Sequence, residues 1–185
     1  MRESRISQDS NSFNPVQTSF EFHYALGYNF SVKSKLPNAS HCFVCGLENS
    51  SGLQMSFYID DQDQVVSEVT IPEQFQGYPG VAHGGIVATI LDETLARAVM
   101  VTDPDRFMFT GRLTTRYRKP TPLGVPVRLV GRVIRDRGKM AECASSLYGP
   151  DGELCAEAEG LLLQVPQEVI DQTDFGGMSW KVVPD

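Results

Sequence analysis

The stretch Val81–Val99, VAHGGIVATILDETLARAV, decides how the rest of the chain is read. Val87, Leu91, Thr94, Leu95 and Ala98 recur at the spacing of one side of a helix that packs on a core. The pattern predicts a helix from about Gly84 to Met100, stopped by the turn-forming residues Thr102-Asp-Pro-Asp.

Two features do not belong to a plain core helix. It starts on Gly84-Gly85, directly after His83. Such a start either lets the helix pack close to its neighbour or bares the first-turn N–H groups toward a negative oxygen. Asp92 sits at the border of the apolar stripe, with Ala88 and Ala96 one turn away on either side. It is either a boundary aspartate facing water or a carboxylate that a ligand can reach past small neighbours. Glu93 and Arg97, four apart on the far side, are placed to pair there, and Glu93 reads as a solvated residue. Gly84 and Asp92 are eight residues apart, about 12 Å along the axis. An oxyanion donor and a base acting on one carbon must both lie close to it, so one helix cannot easily supply both. Two antiparallel helices about a two-fold axis can, each start facing the other chain's Asp92.

Outward from the helix the pattern changes to strands. GLQMSFYID (52–60) and QVVSEVTIP (64–72) precede it, separated by a turn-forming Asp-rich stretch. Phe107–Arg118, Val125–Arg135, Met140–Tyr148 and Glu153–Val165 follow it, punctuated by Gly, Pro and Asp. Short turns imply antiparallel pairing, and two strands, one long helix and four strands make an α+β class. The domain proper starts near Leu53 on this pattern. Upstream, Phe20, Phe22, Tyr24, Leu26, Tyr28 and Phe30 alternate, as in an extended arm with one apolar face; a short helix with aromatics on several sides is the other reading.

With 185 residues, 41% hydrophobic and 21% charged, the chain has the composition of one globular domain. A net charge of −7 argues against a dedicated nucleic-acid binder. No apolar run reaches the roughly 20 residues of a membrane span, and the polar start carrying Glu3 and Asp9 resembles neither a signal nor a transit peptide. A cytoplasmic location and four reduced cysteines are therefore expected. Cys42 and Cys45 have C-x-x-C spacing beside His41, but a structural zinc site takes four ligands and Cys143 and Cys155 lie in distant strand-like runs, so no metal is expected. No histidine is placed to activate a thiol nucleophile, and no phosphate-binding glycine motif occurs.

Four stretches resemble the hotdog-fold acyl-CoA thioesterases of the phenylacetate-pathway (PaaI-like) and thioesterase-superfamily-member type. They are Phe75-Gln-Gly-Tyr-Pro-Gly-Val-Ala-His-Gly-Gly, Ala88-Thr-Ile-Leu-Asp, Phe109-Thr through Arg116-Tyr-Arg-Lys-Pro-Thr-Pro-Leu-Gly, and Cys42-Phe-Val-Cys-Gly with Gly52-Leu. The resemblance covers 42–165, leaving residues 1–41 as an extension and 166–185 as a tail. It implies a hotdog fold, a curved antiparallel sheet wrapped around one long helix, at least dimeric. It implies Gly84 N–H as the donor to the thioester carbonyl and His83 as the residue shaping that turn or touching substrate. Asp92 from the other subunit becomes the base or nucleophile, and Thr110 the hydroxyl that assists water. Several relatives carry Asn or Gln where this chain has Gly77, with Gln76 beside it, which leaves the side-chain half of the oxyanion hole open.

An acyl-CoA substrate also needs cations for its phosphates. Arg112, Arg116 and Arg118 share a strand face by period two, Lys119 follows, and Arg135, Arg137 and Lys139 gather near another turn. Gly85, Arg116, Arg118, Lys119 and Arg137 are the candidate CoA contacts; a solvated sheet face is the other reading. The expected activity is thioester hydrolysis with no cofactor, coenzyme A being part of the substrate, in a homodimer or homotetramer. A hotdog hydratase or dehydratase and a non-catalytic acyl-CoA-binding protein are the alternatives.

Overall fold

The computed structural model describes residues 20–23, 29–172 and 179–185. Among these, eight strands form one antiparallel sheet: β1 Phe20–His23, β2 Asn29–Lys35, β3 Tyr58–Asp60, β4 Val65–Thr70, β5 Met108–Tyr117, β6 Pro126–Asp136, β7 Met140–Tyr148 and β8 Leu154–Gln164. Their order across the sheet is β1-β2-β3-β4-β6-β7-β8-β5, so the first strand after the helix lies at one edge. The helix α1, Gly84–Arg97, crosses one face of the sheet and continues as a single 3-10 turn, Ala98–Val101. The periodic pattern ran to Met100 because Ala98, Val99 and Met100 stay buried after the α-helical bonding ends.

Helix and sheet approach closely because the facing strand positions have no side chain. A Cβ on Gly131 would stand 2.5 Å from the carbonyl of Thr94, and one on Gly160 would stand 2.7 Å from Leu95 Cδ1. Val87, Ile90, Leu91, Thr94 and Leu95 fill that contact. Leu91 is fully buried, and each such leucine contributes about 1.5–3 kcal/mol by leaving water.

The other side of α1 is also covered. The segment from Leu36 to Phe57 folds over it, and Leu36, Ala39, Val44, Cys45, Met55 and Phe57 join the same core. Asn38 stitches this segment by donating to the carbonyls of Cys45 at 2.8 Å and Met55 at 2.9 Å. The strand expected over 52–60 is accordingly short. Leu53 and Met55 bond to the Phe43 and Val44 carbonyls, and Gln54 takes a positive φ of 50°, so the ladder begins only at Tyr58. Of the alternating aromatics, Phe20–His23 and Asn29–Lys35 are extended and pair with each other, while 24–28 lie outside the described residues. Beyond Pro166, a short helix α2, Gln167–Gln172, is followed by Trp180, which packs edge-on against Phe107.

Candidate active site

The start of α1 is built by His83. Its backbone is extended, and its Nδ1 accepts the Gly85 N–H at 3.0 Å, capping the helix. The imidazole occupies the place of a side chain at Gly85, where a Cβ would meet Nδ1 at 3.1 Å. A side chain at residue 85 would crowd the capping imidazole. Gly84 is not required by packing: its Cβ would meet only the Tyr117 ring at 3.5–3.6 Å, ordinary contact. Its N–H has no hydrogen-bond partner among the described residues. The result is one free backbone donor at the positive end of a helix, with no side chain over it.

Two side chains of β5 hydrogen-bond to this helix. Thr110 Oγ1 donates to Asp92 Oδ1 at 2.8 Å, and Tyr117 Oη donates to the Gly84 carbonyl at 2.8 Å. Residues seven apart on a regular strand point to opposite faces. Here the register against β8 shifts between Thr110 and Arg112, so Gly111 is the extra residue of a bulge. The bulge puts Thr110, Leu113, Thr115 and Tyr117 on the helix side and Arg112, Thr114 and Arg116 on the other. Glycine next to Thr110 within a strand was the available signal for it. Tyr117, which no spacing argument singled out, becomes a wall of the helix start through it.

Asp92 is half-buried. Burial pushes its carboxyl above the ordinary carboxylate range; the Thr110 hydroxyl opposes that rise and the neighbouring Glu93 adds to it. A carboxylate held this way is a proton acceptor tuned upward, beside a hydroxyl that can also orient a water.

The candidate phosphate contacts are not gathered in one place. Arg118 Nε donates to Glu157 Oε1 at 3.0 Å, and Lys119 pairs with Glu153. Arg116 is exposed on the outer face, opposite Glu157 in register. Arg137 lies in the β6–β7 turn, at the opposite end of β8 from these three. Glu93 is also not the solvated residue its helix position suggested. Its partner Arg97, at 2.9 Å, is 2% exposed, and Glu93 itself 21%. Upstream, Gln76 Oε1 accepts the Gly80 N–H at 2.9 Å, and Gly77 backs onto His83 Cα, 3.1 Å from where a Cβ would stand.

Residues 79–156 match the family model described as the thioesterase superfamily, which bears out the resemblance read from the sequence. The chain is 31% identical over 112 residues to the rat acyl-coenzyme A thioesterase THEM4, covering 60% of this chain and 47% of that protein. It spans about half the length of the curated relatives it matches. Among solved structures, the thioesterase superfamily protein RHA08564 superposes with a TM-score of 0.61 at 32% identity, over 67% of this chain and 60% of that one. The Bacillus halodurans protein BH2602, solved with CoA, gives a TM-score of 0.50 at 25% identity, over 54% of this chain and 66% of that one. The antiparallel sheet with one long helix is the hotdog fold of these neighbours. No described helix is long and apolar enough to cross a membrane.

Proposed function

We propose that this protein hydrolyses acyl-coenzyme A thioesters to the free acid and CoA. The observation that carries the reading is the pairing of a free Gly84 N–H with a half-buried Asp92 held by Thr110. Thioester hydrolysis needs a donor to the carbonyl oxygen as charge develops, and a base or nucleophile at the carbonyl carbon. Gly84 supplies the first. Asp92 supplies the second, either taking a proton from water or attacking the carbonyl itself, and Thr110 fixes the carboxylate oxygen. The name of the rat relative and the CoA in the Bacillus neighbour support the substrate class.

The two groups are about 12 Å apart along α1. The reading therefore includes a homodimer in which Gly84 of one chain works with Asp92 of the partner subunit. The β5 edge, which no described strand covers, and the exposed Phe109 and Tyr117 on it suit a second copy. A homotetramer through the outer sheet face is compatible with the same site. Arg118 and Lys119 are paired, which leaves Arg116 and Arg137 as the candidate cations for a CoA phosphate in this reading. No cofactor is needed beyond CoA, which enters as substrate, and four free thiols suit a reducing compartment such as the cytoplasm.

The absence of a side-chain donor at Gly77 favours one second reading, a hotdog protein that binds acyl-CoA without cleaving it. Thiol release from short, medium, long and aryl acyl-CoAs, with Asp92→Asn beside the wild type, separates the two. Turnover lost in the variant supports hydrolysis; tight binding with no turnover on any substrate supports the binder and removes the catalytic assignment.

A further inference from the structure

We propose that Cys42, Cys45 and Glu93 form a binding site for one thiophilic divalent cation, zinc being the fitting ion, which ties the 42–46 loop to helix α1. The sequence offers only the two cysteines. The fold adds the third ligand from a helix far along the chain. One ligand atom from each residue lies within 4.8 Å of the others, and Cys42 Sγ stands 3.9 Å from Glu93 Oε2. A tetrahedral zinc with bonds of about 2.3 Å to sulfur and 2.0 Å to oxygen separates sulfurs by roughly 3.8 Å and sulfur from oxygen by roughly 3.5 Å. The three groups need to close by only a fraction of that spacing.

The surroundings are arranged as around a ligated thiolate. The Val44 N–H points at Cys42 Sγ from 3.4 Å, and Gly46 N–H closes the turn on the Cys42 carbonyl at 2.9 Å. Glu93 is oriented from behind: Arg97 Nε holds Oε1 at 2.9 Å and leaves Oε2 toward the sulfurs. Arg97 is itself fixed by the Pro37 carbonyl and by the rings of Phe57 and Trp180, 5.0 and 4.7 Å from its guanidinium carbon. Such outer contacts are what hold metal ligands in register.

Charge favours a cation over a disulfide. Glu93 disfavours the ionised form of both cysteines, so the carboxylate works against the thiols as they stand. A disulfide would take from Glu93 Oε2 its Cys42 thiol partner. With a divalent cation, two thiolates and one carboxylate are balanced by the ion and the Arg97 guanidinium. Binding forms two metal–sulfur bonds and one metal–oxygen bond, and the thiol protons leave to solvent. Cys42 and Glu93 are only partly buried, which leaves room for a water as fourth ligand.

The test needs no assay of turnover, so it stands or fails apart from the hydrolase reading. The full chain, reduced and stripped with a chelator, is titrated with Co(II) and followed by its thiolate-to-cobalt charge-transfer absorption. The expected result is saturation at one cobalt per chain, displacement by zinc, and a higher melting temperature with either ion. Cys42→Ser with Cys45→Ser abolishes the absorption, and Glu93→Gln weakens cobalt affinity by about tenfold or more. A reduced wild-type chain that gives no charge-transfer band overturns the site, as does unchanged affinity in Glu93→Gln. Loss of two hydrogen atoms by mass on oxidation, with no cobalt binding before it, replaces the site with a dithiol–disulfide pair.

Discussion

Asp92 and Glu93 are consecutive carboxylates on one helix, in opposite surroundings. Asp92 faces an edge strand and keeps an open side, with a single hydroxyl on one oxygen. Glu93 faces the 36–57 segment and is bound to a guanidinium that is buried between two aromatic rings and a carbonyl. Burial without a cation raises the first, while the second is locked into an ion pair. One carboxylate stays available for chemistry, and the other holds the helix in place. The difference comes from what each side of the helix is packed against.

The comparison breaks most directly at Asp92. Asp92→Asn is expected to lower kcat on the best acyl-CoA by about 10²–10⁴-fold, the range for loss of a catalytic base. Its stability moves the other way. The folded-state pKa lies above the unfolded one, so the contribution of Asp92 to stability is complete below the ordinary carboxylate range and is lost as pH rises through the folded value. At neutral pH the asparagine variant therefore melts at the same temperature as wild type or higher. A variant that loses activity only because it unfolds would falsify this assignment. The opposite outcome belongs to Arg97. Arg97→Ala leaves Glu93 without its cation and opens the space between Phe57 and Trp180, a loss of about 3–5 kcal/mol measurable by denaturant unfolding. Turnover per folded molecule should hold within about twofold.

Smaller changes sharpen the same contrast. Thr110→Val removes the one contact that lowers the Asp92 pKa, so the acid limb of the pH–rate profile shifts to higher pH, with about tenfold less activity below it. A limb that stays in place disconnects Asp92 from that ionisation. Tyr117→Phe deletes the bond to the Gly84 carbonyl while keeping the ring, and an effect of about two- to threefold on kcat/KM is expected, with no shift of the limb.

Much of the Asp92 side was legible in the sequence, because its signals are local. The 3.6-residue stripe, the paired glycines and the small residues flanking Asp92 all lie within one helix, and the buried face is the expected one. The Glu93 side was not legible. The i,i+4 spacing found the partner but gave no sign of burial, which comes from Pro37, Phe57 and Trp180, residues remote in sequence and without a periodic pattern. The basic residues on and just after β5 show the same limit. Their period-two spacing marked one face correctly, but Glu157, which pairs with Arg118, belongs to the neighbouring strand, and Glu153, which pairs with Lys119, to the turn just before it. Cross-strand neighbours follow from register, and register follows from a bulge that a strict alternation rule passes over.

Gly111 has a further consequence for how this protein tolerates insertion and deletion. Strand β5 is read in two frames, one before the bulge and one after it. Deleting Gly111 would restore strict alternation and act like a frameshift on side-chain direction, turning either Thr110 or Tyr117 away from the helix while every other residue type is preserved. A compensating insertion anywhere between residues 111 and 116 would restore both ends. Alignments of related chains over this strand should therefore be anchored separately at its two ends, since identity counted straight through can pair residues that face opposite ways.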